Sequence, residues 1–291
     1  MDFISDIENI ARKTLEYFDI DICNINNPRE FVSMFVQLHM RLIQPIPIKV
    51  IKSQKIINST YNKTIENVLT EIESKFISGE DILPYLSKTV LKFGFTDHLF
   101  ADWRINHLHL NPKIEGQKFV ERSKLVLFII IFKDIVYFID IRPHGKNGEK
   151  HVFAQKELLQ ILYDEWPFIL EPYKTMITDM AFNVDQPKHI EGFRKSGWTI
   201  PQKIGEYVYM PMGGGITTAG TSTEVSIETD RLYKLVYCAE DFMKNNMNSI
   251  NKKLSKLSGY DSSSFKYRFS LHPKGGLILE EKTKTIIRII N

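Results

Sequence analysis

The residues best suited to chemistry crowd into the stretch from Thr96 to His144. It opens T-D-H-L-F-A-D-W-R-I-N-H-L-H-L, continues through two apolar runs and closes D-I-R-P-H-G. Four of the eight histidines (His98, His107, His109 and His144) lie in it, with Asp97, Asp102, Arg104, Arg122 and Arg142 nearby. Free imidazole titrates near neutrality, so such a cluster can move protons or ligate a metal. If residues 105–110 form a strand, alternation puts His107 and His109 on one face and Leu108 and Leu110 on the other. An H-x-H pair of this kind offers two acid–base groups, two contacts to a phosphate, or two metal ligands. Catalytic zinc takes about three protein ligands, so a metal site on His107 and His109 needs Asp97, Asp102 or His144 as well. The plainer alternative is two solvated histidines on an exposed strand.

His144 follows the apolar run Val136–Ile141 and sits in P-H-G-K-N-G, a loop at a strand end, where functional side chains concentrate. Arg122 and Arg142 carry forked guanidinium groups that suit phosphate. Trp103 and Tyr137 could stack a splayed base beside Arg104, although both also suit a core.

The elements that must position these groups change type along the chain. Residues 1–94 read as helical. Phe3, Ile4, Ile7, Ile10, Ala11, Leu15 and Phe18 recur at helical spacing, Pro28 opens a second helix, and further helices are expected at 62–77 and 80–93. Residues 46–57 break that rhythm as a strand or extended connection. Residues 95–170 form an α+β core, with strands at 105–110, 124–132 and 135–141. Lys133-Asp134 makes a hairpin turn there, and a helix follows at 154–165. Residues 171–291 form a further α+β region: a short helix near 190–196, an extended stretch 198–212, a helix at 223–250 and a C-terminal hairpin. The soft boundaries at Gly94 and at 167–200 are no real linkers, so the three regions are expected to form one compact unit with a helical N-terminal part. The fold expected is α+β: a helical N-terminal part packed on a small twisted antiparallel sheet, with a C-terminal helix and β-hairpin.

The order helix, H-L-H-L, then E-R-S-K-L-V-L-F-I-I-I-F-K-D-I-V-Y-F-I-D-I-R-P-H-G resembles the arginine-led hairpin of RelE-type ribonuclease toxins over about residues 100–160. The resemblance implies RNA cleavage without metal or cofactor. It assigns Arg122 and Lys124 to the scissile phosphate and His107, His109 or His144 to general acid–base work. It also implies RNA as partner and an antitoxin or other neutralising protein. Such toxins are smaller than this chain, so the helical front and the C-terminal third would be additions.

Composition narrows the rest. With 43% hydrophobic residues the chain can bury a real core, which excludes global disorder. A net charge of +3 creates no overall field that would advertise nucleic acid. Two cysteines exclude a disulfide framework and a four-cysteine zinc site, and suit a reduced, cytoplasmic setting. The acidic N-terminus is no signal peptide. The longest apolar run, residues 125–132, falls well short of the roughly 20 residues a membrane helix needs.

Two further motifs carry weaker signals. G-G-G-I-T-T-A-G-T-S at 213–222 leads into a helix and could cradle an anion, gate a site, or be a surface loop. The C-terminal Lys266, Arg268, Lys274, Lys282, Lys284 and Arg288 could lie against nucleic acid or be the polar face of a half-buried hairpin. The expected function is a metal-independent endoribonuclease of bacterial toxin or phage-defence type. The alternatives are a non-enzymatic binding module and a metal-dependent hydrolase using Asp97, Asp102, His107 and His109.

Overall fold

Phe3, Ile7, Ala11 and Leu15 are fully buried along one face of α1 (Phe3–Tyr17), as their spacing requires. Asp2 caps it by accepting from the Ser5 N–H. The computed structural model describes all residues except 24, 93, 116–117, 145–150, 155, 179–183, 185, 273–274 and 290–291, and leaves aside the side chains of 114–115.

After α2 (Pro28–Arg41) come β1 (Lys49–Lys52), α3 (Gln54–Ile57) and α4 (Lys63–Ser78). Asn62 caps α4, and Gly79 ends it in the left-handed conformation at φ 77°. The expected helix at 80–93 does not form. Two short 3₁₀ turns, Leu83–Tyr85 and Lys88–Leu91, stand there instead. Pro84 explains this, since it has no N–H to give an α-helix interior and crowds the preceding turn.

The chain continues with α5 (His98–Trp103), β2 (Ile105–His109), β3 (Ile114–Glu115), β4 (Phe119–Val120), β5 (Leu125–Phe132) and β6 (Ile135–Pro143). There follow α6 (Glu157–Glu165), α7 (Pro167–Leu170), α8 (Pro187–Lys195), β7 (Gln202–Ile204) and β8 (Tyr207–Tyr209). The long α9 (Thr223–Ser258), β9 (Tyr267–His272), β10 (Gly275–Glu280) and β11 (Ile286–Ile289) complete it.

The packing divides the chain into two units, residues 1–39 with 225–291 and residues 40–224. In the first, Phe3 and Ile7 pack with Val236, Ala239 and Met243 of α9 and with Phe269 and Ile278 of an antiparallel sheet ordered β11-β10-β9. The expected hairpin is thus present and carries a third strand. The first two residues of the turn expected from Pro273 onward, Pro273 and Lys274, fall outside the described residues.

The second unit is built on a four-stranded sheet ordered β1-β6-β5-β2. Three strands are antiparallel, and β1 adds to β6 in parallel, giving the 46–57 segment its place. Lys133 and Asp134 both take positive φ, 47° and 59°, which a two-residue hairpin turn of matching twist demands even without glycine. One face of the sheet presents Ile105, Phe128, Ile130 and Tyr137 to Leu158 and Leu162 of α6 and to Ile169. On the other face Phe138 meets Phe76 of α4 at 5.8 Å. Among the described residues no helix is long and apolar enough to cross a membrane.

The glycine-rich segment before α9 serves packing. The Gly213 and Gly215 N–H groups donate to the carbonyls of Asp102 and Ala101, at 2.9 and 3.1 Å, so they are not free for an anion. A Cβ at Gly213 would stand 2.1 Å from the Ala101 oxygen. Gly213→Ala is therefore expected to force α5 and this segment apart and lower stability by about 1–3 kcal/mol, measurable by urea unfolding.

Candidate functional site

Strand β2 lies at the sheet edge by hydrogen-bonding order, yet every residue in it is buried. The picture of an exposed strand with solvated histidines therefore does not hold. Alternation does put His107 and His109 side by side, ring centroids 5.8 Å apart. His144 completes a triangle, 6.4 Å from His107 and 5.7 Å from His109. Phe153, from the short turn Val152–Ala154, packs over the group at 4.7 Å from His107 and 5.2 Å from His144.

This cluster borders a cavity of about 810 Å³. His98, His107, His144 and His151 line it, as do Arg122 and Glu191. His109 is packed behind them. The Ser123 hydroxyl donates to the Leu125 carbonyl and accepts from the Leu110 N–H at 3.0 Å, so it meets His109 Nδ1, at 3.2 Å, as an acceptor. His109 thus carries its proton on Nδ1. At His144, Arg122 donates to Nε2 at 3.2 Å, which leaves the lone pair on that nitrogen.

Asp97 does several jobs at once. It caps α5 by accepting from the Leu99 and Phe100 N–H groups. It pairs with the buried Arg41 at 3.4 Å, and its Oδ2 stands 3.8 Å from His107 Nδ1. Arg41 also donates to the Thr89 carbonyl at 3.2 Å.

Burial keeps these imidazoles neutral. It pushes His109 down to about 3, aided by His107 and His144, and pushes His144 down to about 4, aided by Arg122. Burial likewise lowers His107, against the pull of Asp97, and His98, where Arg194 adds to it. The cluster at neutral pH is a set of bases, not acids.

Several residues singled out from the sequence lie elsewhere. Trp103 and Tyr137 are core side chains, 2% and 3% exposed, with Tyr137 packed 4.8 Å from Trp166, so neither is open to a base. Arg142 is buried against Asp140 at 2.6 Å. Arg104 pairs with Glu224 and borders a separate cavity of about 460 Å³. The Lys124 side chain is exposed and off the histidine cavity, although its carbonyl accepts from the His144 N–H at 2.6 Å. The metal alternative also fails on its donors. Asp102 is committed to Arg194 at 2.5 Å and His109 to Ser123. Among the described residues no three of His, Cys, Asp and Glu converge as a metal site. In the C-terminal sheet, Arg268 pairs with Glu281, and Lys282 sits 4.4 Å over Tyr260.

Other members of the site have no local signature. His151, Glu191, Lys195 and Phe153 reach the cavity only through the packing of α8 and the 152–154 turn. Arg194 makes that packing. Its Nε donates to Asp102 at 2.5 Å and its Nη1 to the Phe153 carbonyl at 2.7 Å. Burial pushes the Asp102 carboxyl up, and the Arg194 guanidinium works against it.

Comparison of the chain with protein-family models, curated proteins and solved structures finds no match.

Two outcomes follow. Arg194→Met strands the Asp102 charge and is expected to cost about 3–5 kcal/mol in urea unfolding, most of it recovered in Arg194→Met/Asp102→Leu. The unfolded chain protonates His109 near 6.5 and the folded chain only near 3, so folding binds fewer protons between those values. Stability is therefore full above pH 6.5 and falls as pH drops towards 3, by up to about 1.4 kcal/mol per pH unit for this residue. Urea unfolding of His109→Gln across that range should show a shallower fall than wild type.

Proposed function

We propose that the histidine cavity is the active site of a metal-independent endoribonuclease. The observation that supports this most is the pairing of Arg122 with His144 Nε2 on the wall of a cavity that three further imidazoles share. A cation and a neutral base in contact are what cleavage by a ribose 2′-hydroxyl needs. A phosphate oxygen docking on Arg122 draws that guanidinium off His144. The freed Nε2 then takes the 2′-hydroxyl proton, and Arg122 offsets the negative charge that builds on the phosphoryl oxygens. His107, backed by Asp97, and His109, backed by Ser123, hold His144 in place from behind. Phe153 supplies the apolar surface that Trp103 and Tyr137 do not. RNA cleavage of this kind would suit a toxin or an antiviral defence protein.

A second reading rests on the same burial. His107 and His109 have partners and stay neutral, which also fits a non-enzymatic pocket that binds an anion through Arg122. Incubation of labelled total RNA with purified protein, with and without EDTA, separates the two. The ribonuclease reading expects EDTA-resistant cutting, about 10²–10⁴-fold slower in His144→Ala and about 10²–10³-fold slower in Arg122→Ala, both variants remaining folded. A folded wild-type protein that leaves RNA intact favours the binding pocket, and cutting abolished by EDTA contradicts the metal-free mechanism.

A further inference from the structure

Cleavage by a 2′-hydroxyl expels an alkoxide, and O5′ needs a proton as its bond to phosphorus breaks. His98, His107, His109 and His144 all sit below the ordinary imidazole range through burial, so none rests as a ready donor. His151 has different surroundings. It lines the same cavity, and its Nδ1 hydrogen-bonds the Glu191 carboxylate on α8. Glu191 is held below the usual carboxylate range by that bond and by Lys195, whose Nζ is 2.5 Å away. With Nδ1 engaged, Nε2 is the ring nitrogen left to meet a ligand, which is the arrangement that orients a histidine for proton transfer. The backbone adds an independent sign. His151 holds φ at 56°, an uncommon left-handed conformation for a residue with a side chain, and such residues gather at functional sites.

We propose that His151, oriented by Glu191, is the general acid of this site; the assignment rests on the ribonuclease reading above. The step balances as follows. His144 Nε2 takes the 2′-hydroxyl proton while O2′ bonds to phosphorus. The P–O5′ bond breaks with its electron pair on O5′, which receives the Nε2 proton of the His151 imidazolium. The products are a 2′,3′-cyclic phosphate and a 5′-hydroxyl. His144 ends protonated and His151 neutral, and exchange with solvent resets both.

A general acid matters only when the leaving group needs it. The test therefore compares dinucleotides, which expel an alkoxide, with nucleoside 3′-(4-nitrophenyl) phosphodiesters, which expel a stable phenolate, each for all four bases. In His151→Gln, dinucleotide cleavage is expected to fall about 10²–10⁴-fold and cleavage of the nitrophenyl esters by less than about tenfold. Glu191→Gln should show the same selectivity at smaller size, with circular dichroism confirming that both variants fold. Equal losses on both substrates, or no loss on either, would overturn the assignment. Wild-type protein inert on both classes would overturn the ribonuclease reading itself, and the assignment with it.

Discussion

One buried guanidinium organises the site. Arg194 joins Asp102 at the end of α5 to the Phe153 carbonyl in the turn before α6, and it does so from α8. Asp97 and His98, His151 and Phe153, and Glu191 and Lys195 are thereby brought to one cavity from three separate segments. A buried ion pair adds little net stability, because desolvation offsets most of its attraction. What it contributes here is a unique arrangement, since each partner is intolerable inside without the other. The glycines at 213 and 215 complete the packing by letting the backbone close on the last turn of α5.

Within that frame the chemistry follows from dielectric. Placing imidazoles against Phe128 and Phe153 removes the water that would support their charged forms. Arg122 then depresses His144 further. The carboxylates are distributed to match: Asp97 faces the buried His107, and Glu191 faces the more open His151. With the proposed base His144 beside Arg122 and the proposed acid His151 beside Glu191, two imidazoles sit in unlike electrostatic surroundings on one cavity, the kind of asymmetry that separates base from acid.

Much of this was legible in the chain because it depends on local pattern. The period of two put His107 and His109 on one face, the period of 3.6 marked α1, and Lys133-Asp134 between apolar runs marked the hairpin. Other features were hidden for physical reasons. The helical rhythm at 80–93 was overruled by the single Pro84. Trp103 and Tyr137 look alike as core or as stacking platforms until the sheet face they occupy is known. Arg142 and Arg104 have forks fit for phosphate, but acidic neighbours that only the fold supplies claim them. His151 and Glu191 are forty residues apart, and nothing in either neighbourhood announces the pair. The joining of residues 1–39 with 225–291 is likewise a tertiary fact that no local spacing encodes.

We propose that His144 rests neutral beside Arg122 and is released by a phosphate. The most direct measurement is nitrogen NMR of ¹⁵N-histidine-labelled protein at pH 6, with and without inorganic phosphate. A neutral His144 ring with an unprotonated Nε2 is expected, its signal moving when phosphate is added and no longer doing so in Arg122→Gln. A His144 that is already largely protonated at that pH, and indifferent to phosphate, would contradict it.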